Sequence, residues 1–194
     1  MDEETFAFKP GLLGGHQGRN AAVAIAAAKI LAEQGFPIGK DQILKGVETA
    51  TWEGRLEVVS QSPLVLLDGA HNEEGAVALK RYVEDFTPEP RVLVYGAMRD
   101  KNIEKIAEIL FPVAESIILT RFPYHRAADP EDIMERVSGH GRALLCERDA
   151  RQAYRLGLRL CPQNGTVVVS GSLFLVGEVK KFLRRKKKHL RETS

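Results

Sequence analysis

Gly54-Arg55-Leu56-Glu57 and, one short segment later, Leu64-Val65-Leu66-Leu67-Asp68-Gly69-Ala70-His71-Asn72 decide how this chain is read, because a carboxylate, an imidazole and an amide arrive together at the end of an apolar strand. Residues 64–67 read as a buried strand, and residues 74–86 carry Ala76, Leu79, Val83 and Phe86 at helical spacing. The Asp-Gly-Ala-His-Asn turn therefore joins the carboxyl end of a strand to the amino end of a helix. Open α/β sheets bind their ligands at that position. Free backbone N–H groups at such a helix end favour an anion.

Outward from this stretch, strand-like and helix-like segments alternate. Strands are expected at 56–60, 64–67, 91–95, 116–120, 143–146 and 166–170, with helices at 74–86, 102–110, 130–138, 149–160 and 173–188. The alternation predicts an α/β fold, a Rossmann-like, mostly parallel six-stranded sheet with helices on both faces. Gln61-Ser62-Pro63 is too short for a crossover, so strand 56–60 should pair antiparallel at an edge. Ahead of the sheet, residues 20–34 form an alanine-rich helix, apolar on most sides and stopped by Gly35 and Pro37. Residues 41–50 form a second helix with Asp41 as its N-cap. Two helices cannot bury so apolar a surface, which predicts association through residues 20–34. The domain break is expected after Thr51, giving a helical segment 1–51 and an α/β domain 52–194.

Of the 194 residues, 44% are apolar and 28% charged, the balance of a soluble globular protein with one substantial core. Two cysteines, Cys146 and Cys161, are too few for a disulfide framework and lack metal-ligand spacing. No apolar run approaches the ~18 residues of a membrane span, and Met1-Asp2-Glu3-Glu4 is unlike a secretory signal, so the cytoplasm is the expected compartment. Net charge is +2, yet eight basic residues fall between Lys180 and Arg191. Without them, 20 basic residues face 26 acidic ones, a body near −6. Such a body suits nucleic acid poorly, and the basic tail reads better as a solvated helix end complementing the helix dipole.

At the level of motifs the chain resembles the folylpolyglutamate synthase and dihydrofolate synthase enzymes of the Mur ligase superfamily. Four runs carry the resemblance: Gly14-Gly15-His16-Gln17 through Asn20-Ala21-Ala22, Gly54 to Glu57, Asp68 to Asn72, and Gly171-Ser172-Leu173-Phe174-Leu175-Val176. They cover the end of that family's central domain and its C-terminal domain. The resemblance implies ATP-dependent addition of L-glutamate to a folate or dihydropteroate carboxylate through an acyl phosphate, with Mg²⁺. It also implies that a P-loop half must be supplied in cis or in trans. No G-x-x-x-x-G-K-[ST] or G-x-G-x-x-G pattern occurs in the sequence.

The resemblance gives each candidate residue a role, beside a plainer one. Asp68 would sit in the nucleotide site, at the ribose or the metal-bound water, or else cap a helix. His71 would stand near the acyl phosphate and the incoming glutamate, or be a surface imidazole. Arg55 would contact ATP phosphates, or pair with Glu53 or Glu57. Asn20 would touch the adenine, or only start a helix, with His16 and Gln17 in support. Ser172 would face the glutamate, or cap the last helix, and Arg126 is a further candidate for an anionic substrate. The same strand ends should gather Gly96, Arg99, Asp100, Arg121 and Ser170. No residue set with metal-ligand spacing stands out. Two other readings remain at this stage: a stand-alone nucleotide- or amino-acid-binding module, and a tail-driven nucleic-acid binder.

Overall fold

A computed structural model describes residues 7–137 and 143–192, without the side chains of His16 and of residues 186–192. The chain separates into two compact units, Met1–Arg55 and Leu56–Ser194, whereas the sequence placed the break after Thr51.

The first unit holds α1 (Gly15–Glu33) and α2 (Lys40–Thr49). Helix α1 begins five positions before the alanine-rich run, at a turn in which Gly14 takes a φ of 99°. It ends where Gly35, at φ 92°, reverses the chain and its N–H bonds the Ala32 carbonyl at 3.0 Å. Asp41 is not the cap of α2. Gly39 holds the cap position and donates its N–H to Gln42 Oε1 at 3.2 Å, leaving Asp41 in the first turn, where a negative charge still favours the helix dipole.

The second unit is a sheet ordered β1-β2-β6-β3-β4-β5. Its strands are β1 (Glu57–Gln61), β2 (Leu64–Leu67), β3 (Arg91–Tyr95), β4 (Ser116–Arg121), β5 (Ala143–Asp149) and β6 (Thr166–Ser170). Only β1 and β2 pair antiparallel; every other pairing is parallel. The helices are α3 (Glu73–Phe86), α4 (Ile103–Leu110), α5 (Pro130–Arg136), α6 (Ala150–Leu160) and α7 (Leu173–Glu192), with a 3₁₀ turn at Phe111–Val113. The α/β sheet with one antiparallel edge is thus the fold the alternation predicted.

Strand periodicity divides the core in two. Leu66, Leu93, Tyr95 and Val168 face α3, α4 and α5, whose Leu79, Ile106 and Ile133 are fully covered. Val65, Val94, Val167 and Val169 face α6 and α7, packing on Ala153, Tyr154, Leu175 and Val179. Burial on both faces explains why the central strands read as unbroken apolar runs. The strand misjudged most in length is β5; β4 runs one residue past its expected end. The apolar run stops at Cys146, yet pairing continues until Arg121 lies opposite Asp149, past a register shift after Leu119. Asp149 then caps α6, accepting from the N–H groups of Arg151 and Gln152 at 2.9 Å each. Position 138, expected to end a helix, and the side chains of the basic run from Lys186 onward lie outside the described residues.

Candidate active site at the carboxyl end of the sheet

The turn after β2 organises itself around Asp68, which is buried. Its main-chain N–H donates to the Val169 carbonyl at 3.0 Å, continuing the parallel ladder one residue beyond the strand. Its Oδ1 accepts the Ala70 N–H at 2.8 Å, and its Oδ2 accepts the Leu56 N–H at 2.9 Å. Asp68 does not cap α3. Asn72 does, accepting the Gly75 N–H at 2.9 Å. Between them, His71 Nδ1 lies 2.9 Å from the Gly69 carbonyl oxygen. A carbonyl only accepts, so Nδ1 carries the proton and the neutral ring keeps Nε2 as its acceptor.

Ser172 and Ser170 follow β6. Ser172 Oγ accepts the Phe174 N–H at 3.1 Å, and its carbonyl accepts the Val176 N–H at 3.1 Å, which is capping geometry at the start of α7. Gly171 between them requires glycine: its φ is +104°, and a Cβ there would meet the Gly96 oxygen at 2.6 Å. Ser170 is opposite Tyr95 in the ladder. Both hydroxyls are fully buried and have no hydrogen-bond partner among the described residues. Burial also raises the Tyr95 phenol far above its usual range.

Arg126 pairs with Asp100 at 3.3 Å and reaches Met98 Sδ at 3.2 Å. An isolated bridge between Met98 and Ala127 holds those two loops together. Beside them is a cluster the sequence did not reveal. Asp129 binds Arg121 at 2.7 Å, with Arg99 at 3.7 Å and Arg148 at 3.9 Å. In sequence Asp129-Pro130 reads as a helix start, and it does start α5, but its carboxylate makes no capping bond. The aromatic ladder of Tyr124, Phe174 and Phe122 was equally hidden, because its rings come from the loop after β4 and the first turn of α7. Tyr124 stacks on Phe174 at 4.3 Å between centroids, and Phe174 on Phe122 at 6.1 Å. Asn102 caps α4 and donates to Glu73 at 3.0 Å.

Asn20 and Arg55 belong to the first unit. Asn20 Nδ2 donates to Gln17 Oε1 at 3.0 Å, and both amides, with that of Gln42, line a largely apolar cavity of about 430 Å³ with Ala21, Ala24, Ile43 and Val47. Arg55 follows Gly54, whose φ is 74°, and donates its main-chain N–H to the Trp52 carbonyl at 3.3 Å. Glu57, one of the two carboxylates offered to Arg55 by the sequence, is bound by Lys180 at 2.7 Å through both oxygens. No group of three or more His, Cys, Asp or Glu residues able to hold a metal occurs among the described residues. Cys146 and Cys161 are free thiols, each raised by burial first of all, and neither adjoins the turn. No described helix is long and apolar enough to cross a membrane.

Fold and site together define a Rossmann-like α/β domain whose chemistry gathers at the carboxyl ends of its strands. The chain belongs to the family Mur ligase, glutamate ligase domain, which matches residues 54–173. Among relatives, it is 33% identical to a probable bifunctional folylpolyglutamate synthase/dihydropteroate synthase of Haloferax volcanii, covering 92% of this chain and 21% of that protein. It is 30% identical to a dihydrofolate synthase/folylpolyglutamate synthase of Bacillus subtilis, covering 91% of this chain and 41% of that protein. In structure it resembles E. coli FolC in complex with DHPP and ADP, with a TM-score of 0.79 and 26% identity over 92% of this chain and 41% of the other. The chain thus spans less than half the length of each.

Proposed function

We propose that this chain is the C-terminal portion of an ATP-dependent ligase that adds L-glutamate to the carboxylate of a folate or dihydropteroate. Residues 1–51 are then the end of the nucleotide-binding central domain, and 52–194 the glutamate ligase domain. The observation that carries this reading is the Asp68–Asn72 turn: a buried carboxylate, an oriented imidazole and a capped helix start within five residues at a strand's carboxyl end. The folylpolyglutamate and dihydrofolate synthase names of the relatives, and the ADP in the E. coli structure, support it.

In this reading the substrate carboxylate takes the terminal phosphoryl group of ATP to give an acyl phosphate and ADP. The glutamate amine then attacks the acyl carbon and phosphate leaves. The chain's own contribution is positioning and charge. Asn20, with Gln17, presents amide groups to the adenine in an apolar cavity. Arg55 offers a planar guanidinium to phosphate oxygens. His71, held through Nδ1, turns Nε2 towards the reacting atoms, where it steadies the oxyanion or the phosphate when Nε2 carries a proton to donate. Ser172 and Arg126 face the glutamate carboxylates. Mg²⁺ would offset phosphate charge, with most of its ligands supplied by the P-loop half.

The reading is tested by glutamate-dependent ADP release with ATP, Mg²⁺ and dihydropteroate or tetrahydrofolate. The chain is assayed alone and mixed with the separately expressed remainder of the Bacillus subtilis relative. Turnover in the mixture only, lost on His71→Ala, is expected. Turnover by the chain alone, unchanged by Asp68→Ala, would overturn the assignment. A stand-alone binding module would instead show saturable ATP or glutamate binding and no turnover in either sample.

A further inference from the structure

We infer that Asp68 is a positioning residue, a carboxylate latch that holds the Gly-Arg-Leu-Glu run and the Asp-Gly-Ala-His-Asn turn in one geometry. The two motifs are separated in sequence but meet on its two oxygens. Oδ2 accepts the N–H of Leu56 at 2.9 Å, twelve residues back, and Oδ1 accepts the N–H of Ala70 at 2.8 Å, two residues on.

Each bond fixes something the local sequence does not. Leu56 is the sole described non-glycine residue with positive φ, at 44°. That conformation is costly for a residue with a side chain and persists where surroundings enforce it. The enforcement is visible. The Leu56 side chain is buried in the core beneath α3, and its N–H ends on a buried carboxylate. The residue immediately before it is Arg55. Two glycine-like conformations, Gly54 at 74° and Leu56 at 44°, bracket Arg55.

The other oxygen acts on His71. By closing the two-residue turn onto Ala70, Oδ1 fixes the peptide whose carbonyl, that of Gly69, receives His71 Nδ1 at 2.9 Å. The chain of contacts runs from Asp68 to the Ala70 N–H, through the Gly69 carbonyl, to the imidazole tautomer. An ionised carboxylate receiving two main-chain N–H bonds is suited to this because charge-assisted bonds are about twice as strong as neutral ones. As a role in catalysis the latch rests on the ligase reading; as geometry it stands without it.

The test uses the ligand-free full chain, so its outcome is independent of ADP release. In the wild type, a scalar coupling across the hydrogen bond between the Leu56 amide nitrogen and the Asp68 carboxyl carbon is expected. The nitrogen shifts of His71 should show the tautomer protonated at Nδ1. In Asp68→Asn, amide exchange at Leu56 should quicken at least tenfold while the thermal midpoint and circular dichroism stay near wild type, and the His71 tautomer preference should weaken. Absence of the coupling in the wild type overturns the latch. Unchanged Leu56 exchange together with an unchanged His71 tautomer in folded Asp68→Asn overturns it as well. Loss of ADP release in the reconstituted mixture with both signatures intact would refute the ligase reading and leave the latch standing.

Discussion

The two units solve the problem of apolar surface in opposite ways. In the sheet unit, β2, β3 and β6 are covered on both sides, and Val65, Leu66, Leu67, Leu93, Val94 and Val167 are fully buried. In α1, Val23 is 71% and Ile30 55% exposed, although the helix is just as apolar in sequence. A parallel sheet closed by helices from both faces supplies its own second surface. Two helices do not. The sheet unit therefore carries its stability within itself, while α1 keeps large apolar side chains exposed.

The sharpest way to break that contrast is to cut the same amount of side chain from each unit. Leu66→Ala should lower unfolding free energy by roughly 4 kcal/mol, since it leaves a cavity between sheet and helices. Ile30→Ala should change it by less than about 0.5 kcal/mol, as exposed substitutions do. Urea titrations of both variants give the comparison directly, and equal losses would dissolve it. Next in size is Gly171→Ala. A left-handed φ and a 2.6 Å approach to the Gly96 oxygen predict a loss of about 3 kcal/mol, read from the same titration.

Asn72→Ala removes the α3 cap and should cost about 1 kcal/mol without disturbing the sheet, seen as a lowered thermal midpoint. The smallest effect concerns acid. The Arg136 guanidinium bonded to Glu104 holds that carboxyl down at about 2. A carboxyl lowered on folding stabilises the protein above its unfolded value near 4.5 and loses that stabilisation as pH falls from there towards about 2. Glu104→Gln should flatten stability across that window by a modest amount, because the pair is well exposed. A wild-type acid limb that is unaltered in Glu104→Gln would remove the pair from the account.

Much of the sheet was legible because its central strands are short apolar runs cut by turn residues, and because Gln61-Ser62-Pro63 leaves room for nothing but an antiparallel return. What escaped has a physical reason in each case. Strand β5 outlasts its apolar run, since ladder pairing at an edge needs no apolar side chain: Glu147 and Arg148 extend it as well as Leu144 does. Asp41 looked like a cap, but the neighbouring Gly39 entered the helix first and was served by Gln42. At the site, motif spacing located the turn and its residues. It was silent on which atoms the residues spend on one another. Asp68 was read as a ligand or a cap, and its oxygens meet main-chain N–H groups of two motifs. Asp129 gave no sign of gathering three arginines, because they arrive from β4, β5 and the loop after β3.

The sheet order also sets a timetable. Strand β6 lies between β2 and β3, with Leu64 opposite Thr166 and Arg91 opposite the same residue. As the chain is synthesised from its amino end, β2 and β3 emerge early and cannot pair with each other, since the place between them belongs to the last strand made. Until residue 170 has left the ribosome, both present a bare edge towards the place of β6. A chain released before β6 would have a sheet in two halves.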